Sequence, residues 1–147
     1  MSSTHDATKV AGLIVLRCEE NGDKLTARKL QDILYFVQKQ FIMEDNVPCF
    51  KDRIWVGEDG IYVQAVENAL KFQPGGDLSY EILKELFPIK KKMDPHSMAV
   101  MRRAVDPSAR MTEAMLLSLM KIQMPFQNGM KTGLISLEDL HKAVGRH

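Results

Sequence analysis

Apolar residues near the start of the chain recur at intervals of three and four positions, which places them on one face of a helix. Asp6 is suited to begin a first helix, from about Ala7 to Glu20, and Asn21-Gly22 to end it. A second helix is predicted after Thr26, a residue type that often caps helices. This second helix has the clearest buried stripe, which consists of Leu30, Ile33, Leu34, Val37 and Phe41.

The pattern changes between residues 47 and 56. Pro48 disfavours a helix, and "CFKDRIWV" contains the aromatic and β-branched residues typical of a short extended segment. After the break "GEDG", the stretch "IYVQAVENALKF" returns to helical spacing. The loop "QPGGD" at residues 73–77 then divides the chain into two halves.

Helix-start signals mark the second half of the chain, after a short helix that begins at Asp77 or Ser79. Asp94-Pro95 and Asp106-Pro107 each resemble a cap followed by proline in the first turn, with Thr112 as an alternative cap for the later helix. Pro125 is expected to end that helix, and Ser136 to cap the last one.

These patterns predict a mainly α fold. We expect a single compact helical domain over residues 1–147, with about six or seven helices and at most a small strand element near residues 49–56.

Charge and composition exclude some classes of protein. The 147 residues carry 20 basic and 19 acidic side chains, so the overall balance favours neither a nucleic-acid binder nor an acidic tail. Residues 1–83 hold 9 basic and 13 acidic side chains and residues 84–147 hold 11 and 6, so the halves have opposite net charge. Cys18 and Cys49 form no metal or disulfide pattern. The N-terminus lacks a signal-peptide pattern, and "VAGLIVL" is too short to span a bilayer, so we expect a cytoplasmic protein without a membrane segment.

No motif for catalysis is evident. The histidines at 5, 96, 141 and 147 have no metal-ligand spacing, and Gly75-Gly76 lacks the residues that a phosphate-binding loop requires. We therefore expect no catalytic residues, no metal and no cofactor, and a protein that is not an enzyme.

The C-terminal half is basic and rich in methionine. Lysines occupy residues 90–92, and Arg102, Arg103 and Arg110 follow. The basic residues suit phosphates or an acidic protein partner, and methionines fill irregular cores or adaptable binding surfaces. Periodicity leaves these alternatives open.

Two stretches carry a motif, "KLQDILYFVQ" at residues 29–38 and "FKDRIWVGEDGIYVQAVENALKF" at residues 50–72. They resemble the Panacea antitoxin domain family, which includes SocA-like and phage-associated GepA-like proteins. The family has a K-L-Q-K-L-L-Y-F-x-Q-type helix, then F-x-(D/E)-x-I-x-A-W and G-P-V-V-x-x-V-Y. Ile61 replaces the family's proline, and a later Leu-Thr-His segment is missing. The positions that correspond are Lys29, Leu30, Gln31, Leu34, Tyr35, Phe36 and Gln38, with Trp55 near the family's tryptophan and Gly60 at its glycine.

The resemblance implies a cytoplasmic, phage-associated antitoxin-like protein that neutralises a toxin by direct, non-catalytic binding, with protease delivery as a further adaptor role. The motif is expected to be structural, with Gln31 and Gln38 bonding buried backbone. We assign partner binding to Arg102, Arg103, Arg110 and Met111. Alternatives are a helical DNA-binding regulator, a phage accessory protein, or a small enzyme of unfamiliar design. Nucleic acid is the less favoured partner, and a homo-oligomer stays open.

Overall fold

The structure is a computed structural model that describes residues 4–145. This part of the chain is mainly α with a small antiparallel sheet, which confirms the predicted fold class, although it contains eight helices and not six or seven. In chain order the elements are α1 (Ala7–Asn21), α2 (Ala27–Asp45), β1 (Ile54–Gly57), β2 (Gly60–Tyr62), α3 (Gln64–Leu70), α4 (Tyr80–Leu83), α5 (Pro95–Ala109), α6 (Glu113–Lys121), α7 (Met124–Thr132), β3 (Leu134–Ile135) and α8 (Leu137–Ala143).

Three of the predicted helix starts have a side chain that caps the helix. Thr26 accepts a hydrogen bond from the backbone N–H of Lys29, and Asp94 accepts one from Ser97. Ser136 caps α8 in the same way, by accepting from the N–H of Asp139. These bonds satisfy N–H groups that have no partner within the helix, and they confirm three predicted starts.

The predicted helix start at Asp106-Pro107 is wrong. One helix, α5, runs through both residues and ends at Ala109. Asp106 caps no helix because its carboxylate accepts hydrogen bonds from Arg17 and Asn21 of α1. The alternative start is confirmed, since Thr112 accepts from the N–H of Met115 and begins α6.

The role predicted for Pro125 is also wrong. It begins a helix and does not end one: it lies in the first turn of α7, where proline is tolerated because that N–H has no intrahelical partner. Gly129 lies in the same helix, close to Val56 of β1, and a Cβ at Gly129 would come within 2.7 Å of the Val56 side chain. The missing side chain therefore lets α7 approach the sheet.

The sheet has the strand order β2-β1-β3, and both pairings are antiparallel. Trp55 of β1 lies opposite Tyr62 of β2 and opposite Leu134 of β3. The strand element predicted near residues 49–56 is confirmed as β1, which extends to Gly57. The predicted helix from residue 61 is corrected, because Ile61 and Tyr62 belong to β2 and α3 begins at Gln64.

Helix α2 lies at the centre of the structure, in contact with α1, α5, α6, α8 and β2. Every position of its predicted apolar stripe is buried. Burying such side chains is worth about 1.5–3 kcal/mol each, so this helix contributes a large share of the hydrophobic stabilisation.

Two buried glutamines of α2 hold the irregular segments on either side of the β1–β2 hairpin. The Oε1 atom of Gln38 accepts hydrogen bonds from the backbone N–H groups of Cys49 and Phe50 at 2.7 and 3.2 Å, and its Nε2 donates to the Phe50 carbonyl at 2.9 Å. Gln31 accepts from the N–H of Val63 at 2.9 Å and donates to the carbonyl of the same residue at 3.4 Å. The prediction that these glutamines bond buried backbone is confirmed.

Asp32, between the two glutamines, holds the hairpin itself. Its Oδ1 accepts from the backbone N–H of Ile61 at 3.3 Å and from the Arg28 guanidinium at 2.9 Å, and Arg28 also donates to the Ile61 carbonyl. Gly60 has a φ of 141°, and a Cβ there would lie 2.4 Å from Oδ1 of Asp32. Glycine at position 60 is therefore required both by the backbone conformation and by this close approach.

Substitution Gln38→Ala should destabilise the fold by about 2–4 kcal/mol, because it leaves buried backbone groups of Cys49 and Phe50 without partners. Urea unfolding monitored by circular dichroism measures this change. The control is Gln64→Ala, which removes an exposed glutamine and should change stability by less than about 0.5 kcal/mol. Equal, small effects of both substitutions would contradict the structural role of Gln38.

Asp32 should make stability depend on pH. Burial raises the pKa of its carboxyl from 3.8 to about 6, with Glu113 adding to the rise and Arg28 opposing it. A raised pKa in the folded state gives stabilisation that is present below the unfolded pKa and is lost as pH rises through the folded pKa. The unsubstituted chain should therefore lose stability as the pH rises, and Asp32→Asn should not. The free energy of unfolding of Asp32→Asn minus that of the unsubstituted chain should increase by about 2–3 kcal/mol between pH 4 and pH 7.

The matched control for this pH series is Asp77→Asn, which changes a carboxylate in the exposed loop after α3. Its effect should stay within about 0.5 kcal/mol across the same range. If the Asp32→Asn difference is also constant with pH, the buried carboxyl does not titrate as described.

Candidate protein-binding groove

Cysteines, histidines and acidic residues are the side chains considered first as metal ligands or nucleophiles. Residues 4–145 contain no group of three histidine, cysteine or acidic side chains placed to hold a metal ion. Burial raises the pKa of Cys18 to about 11 and raises the pKa of Cys49 as well, so both thiols are protonated and poor nucleophiles at neutral pH. His96 pairs with Asp45 at the surface, and His147 lies outside the described residues. No helix within residues 4–145 is long and apolar enough to cross a bilayer.

An apolar groove of about 270 Å³ lies between α2, α5 and α6, and we call it the α2–α5–α6 groove. Ala104 and Ser108 of α5, which have short side chains, lie on its lining. Gln40 and Arg103 also line the groove, together with six side chains that supply most of its apolar surface. They are Phe36, Met43, Pro107, Met111, Leu119 and the aliphatic part of Lys39.

Lys39 is a charged group at the edge of this groove without an opposite charge. Its Nζ donates to Oε1 of Gln123 at 2.9 Å, and the same oxygen accepts from the buried Tyr35 hydroxyl at 2.6 Å. No carboxylate of the described chain lies within 4 Å of this ammonium group. Burial lowers the pKa of Lys39, which is the direction expected when a cation loses water without gaining an anion.

Arg103, also on the groove, is already paired. Its Nε donates to Glu44 at 2.8 Å, a terminal nitrogen donates to the other carboxylate oxygen, and Gln40 donates to the same group. The hydrogen bonds from Arg103 lower the pKa of Glu44. This pair leaves Lys39 as the uncompensated cation on the lining.

The residues of the Panacea-like motif are mostly structural. Lys29 is buried, and its Nζ donates to the carbonyls of Ala109 at 2.6 Å and Lys24 at 3.3 Å, which ties the end of α5 to the start of α2. Leu30 and Leu34 lie in the core. Trp55 is half-buried on β1. Tyr35 packs edge-on against Phe36, with ring centroids 5.1 Å apart, and Phe36 is the motif side chain that lines the groove.

The four predicted partner-binding residues do not form one surface. Arg103 and Met111 both line the α2–α5–α6 groove. Arg102 points to a different cavity, and Arg110 is exposed just after the end of α5. The basic cluster inferred from sequence is divided because neighbouring positions on a helix face different directions.

Sequence reasoning missed Lys39, Pro107 and Leu119 as groove residues. A signal was present for α2: Phe36, Lys39 and Met43 are spaced by three and four positions, which describes a second face of the helix. Pro107 was not predicted to line a groove because that residue was assigned to a helix start.

Comparison with known proteins gave no match, either to family models, to curated protein sequences or to solved structures. The resemblance to the Panacea family therefore depends on the motif residues alone.

Proposed function

We propose that this chain is a non-catalytic protein-binding domain whose α2–α5–α6 groove receives an apolar segment of a protein partner. The observation that carries the proposal is the uncompensated ammonium group of Lys39 at the edge of an apolar depression.

The chemistry of the groove defines the partner segment. The apolar lining favours one or two apolar side chains, because burying them removes hydrocarbon surface from water. The thioethers of Met43 and Met111 adapt to the shape of what they contact. A carboxylate on the same segment would pair with Lys39 and supply the missing opposite charge. The expected segment is therefore apolar and contains an aspartate or glutamate.

The resemblance to the Panacea family supports a toxin as the partner. On this proposal the chain neutralises the toxin in the cytoplasm by covering its surface, without a chemical step, and delivery to a protease would be a separate adaptor role. The buried, protonated thiols fit a binding domain better than an enzyme.

A DNA-binding regulator is the weaker candidate. Such a protein needs several cations on one exposed face, because phosphate contacts supply most of its affinity. Here Arg103 is neutralised by Glu44, and Arg102 faces a different cavity.

Two substitutions test the groove. Lys39→Met removes the charge and keeps an unbranched side chain of similar length, and Met111→Ser removes an apolar contact. We expect each to weaken binding of a toxin partner about tenfold or more, because a charged hydrogen bond or a buried side chain is lost. The partner is purified with the tagged chain from host cells, shown to inhibit growth when expressed alone, and titrated against each variant by calorimetry.

Controls for this titration are Lys142→Met and Met130→Ser, which change the same residue types at exposed positions outside the groove lining. They should bind within about twofold of the unsubstituted chain. Undiminished binding by Lys39→Met and Met111→Ser would overturn the assignment of the groove. A stoichiometric partner that leaves growth unchanged would overturn the toxin assignment.

A further inference from the structure

A second cavity, of about 340 Å³, lies where α1, α5 and the segment between α4 and α5 meet. We call it the α1–α5 cavity. It shares no lining residue with the α2–α5–α6 groove. Its lining is largely aliphatic and includes Leu13, Leu16, Ile89, Met93 and Met98.

Arg102 lines this cavity and also carries a donor without an acceptor. Its Nε is buried and has no hydrogen-bond partner among the described residues. Its guanidinium also lies beyond 4 Å from every carboxylate described. The next residue, Arg103, shows the usual arrangement, since both sides of its guanidinium fork donate to Glu44. An unpaired guanidinium on an apolar lining favours an anionic ligand, because charged groups away from water are stabilised by an opposite charge that accepts their hydrogen bonds.

The other charged groups on the lining leave the cavity positive. Arg17 is neutralised by Asp106, to which it donates at 2.9 and 2.8 Å. Glu20 is the acidic side chain on the lining, and it lies 3.8 Å from Arg17. Lys92 lines the cavity as well and adds to the positive charge of Arg102.

We propose that the α1–α5 cavity binds a small amphiphilic carboxylate, with an aliphatic chain against the leucine and methionine side chains and the carboxylate on Arg102. The planar guanidinium fork matches a carboxylate in a two-bond arrangement, in which two N–H groups of Arg102 each donate to one oxygen. The volume lies at the lower end of the range for small-molecule pockets, which is about 300–1,000 Å³. This fits a medium-length chain.

Sodium octanoate and octan-1-ol are the probes, because they share an aliphatic chain and differ in the carboxylate. Each is titrated into the 147-residue chain labelled with nitrogen-15, and the Nε–H resonance of Arg102 is followed by NMR. The resonance is assigned by its loss in Arg102→Met. We expect octanoate to give saturable one-to-one binding with a shift of this resonance. Octanol should bind at least about tenfold more weakly, because it lacks the carboxylate.

Arg102→Met should weaken octanoate binding about tenfold or more, as followed by the methyl resonances of Leu13 and Met98. The matched control, Arg110→Met, removes an exposed arginine just beyond the same helix and should bind octanoate within about twofold of the unsubstituted chain. Thermal unfolding of both variants checks that they fold. Equal binding of octanoate and octanol, or equal effects of the two substitutions, would overturn the proposal, and so would non-saturable binding.

Discussion

The row of buried polar side chains on α2 is the constraint on which the rest of the structure depends. Gln31, Asp32 and Gln38 supply hydrogen-bond partners to backbone groups of residues 49, 50, 61 and 63, at the two ends of the segment that forms the β1–β2 hairpin. Each bond stabilises only modestly, but a buried backbone group left without a partner would cost about 1–3 kcal/mol. The segment is therefore held in one position on α2, and α7 packs against the sheet at β1 and β3.

This arrangement separates the structural side of α2 from the side available for binding. The apolar stripe and the polar row face the core and the β1–β2 hairpin, while Phe36, Lys39 and Met43 face the α2–α5–α6 groove. The buried Tyr35 hydroxyl and the Lys39 ammonium group of the groove both donate to the same oxygen of Gln123, which links the core to the groove. A partner at the groove would then contact side chains whose positions are set by the core, which reduces the entropy cost of binding.

The sequence predicted the helices that have strong periodicity and side-chain caps, such as α2 after Thr26 and α8 after Ser136, because both signals are local. It failed where a local signal was overridden by tertiary contacts. Asp106 resembles a cap but pairs with Arg17, 89 positions away, and strands β2 and β3 are too short to show alternation. The buried roles of Gln31 and Gln38 could be predicted from their spacing. Helical spacing separates Arg102 from Arg103, but the cavity that each one lines could not be predicted, since it depends on where α1 and α2 pack against α5.

The most direct measurement is native-state amide hydrogen exchange at Cys49 and Val63. Both residues lie outside the helices and strands, and their N–H groups donate to glutamine side chains of α2 and to no backbone carbonyl. If the polar row holds the segment, these amides should exchange only through openings nearly as costly as global unfolding, with protection close to that of Leu34 in α2. Exchange as fast as that of Gly75 in the exposed loop would contradict the account.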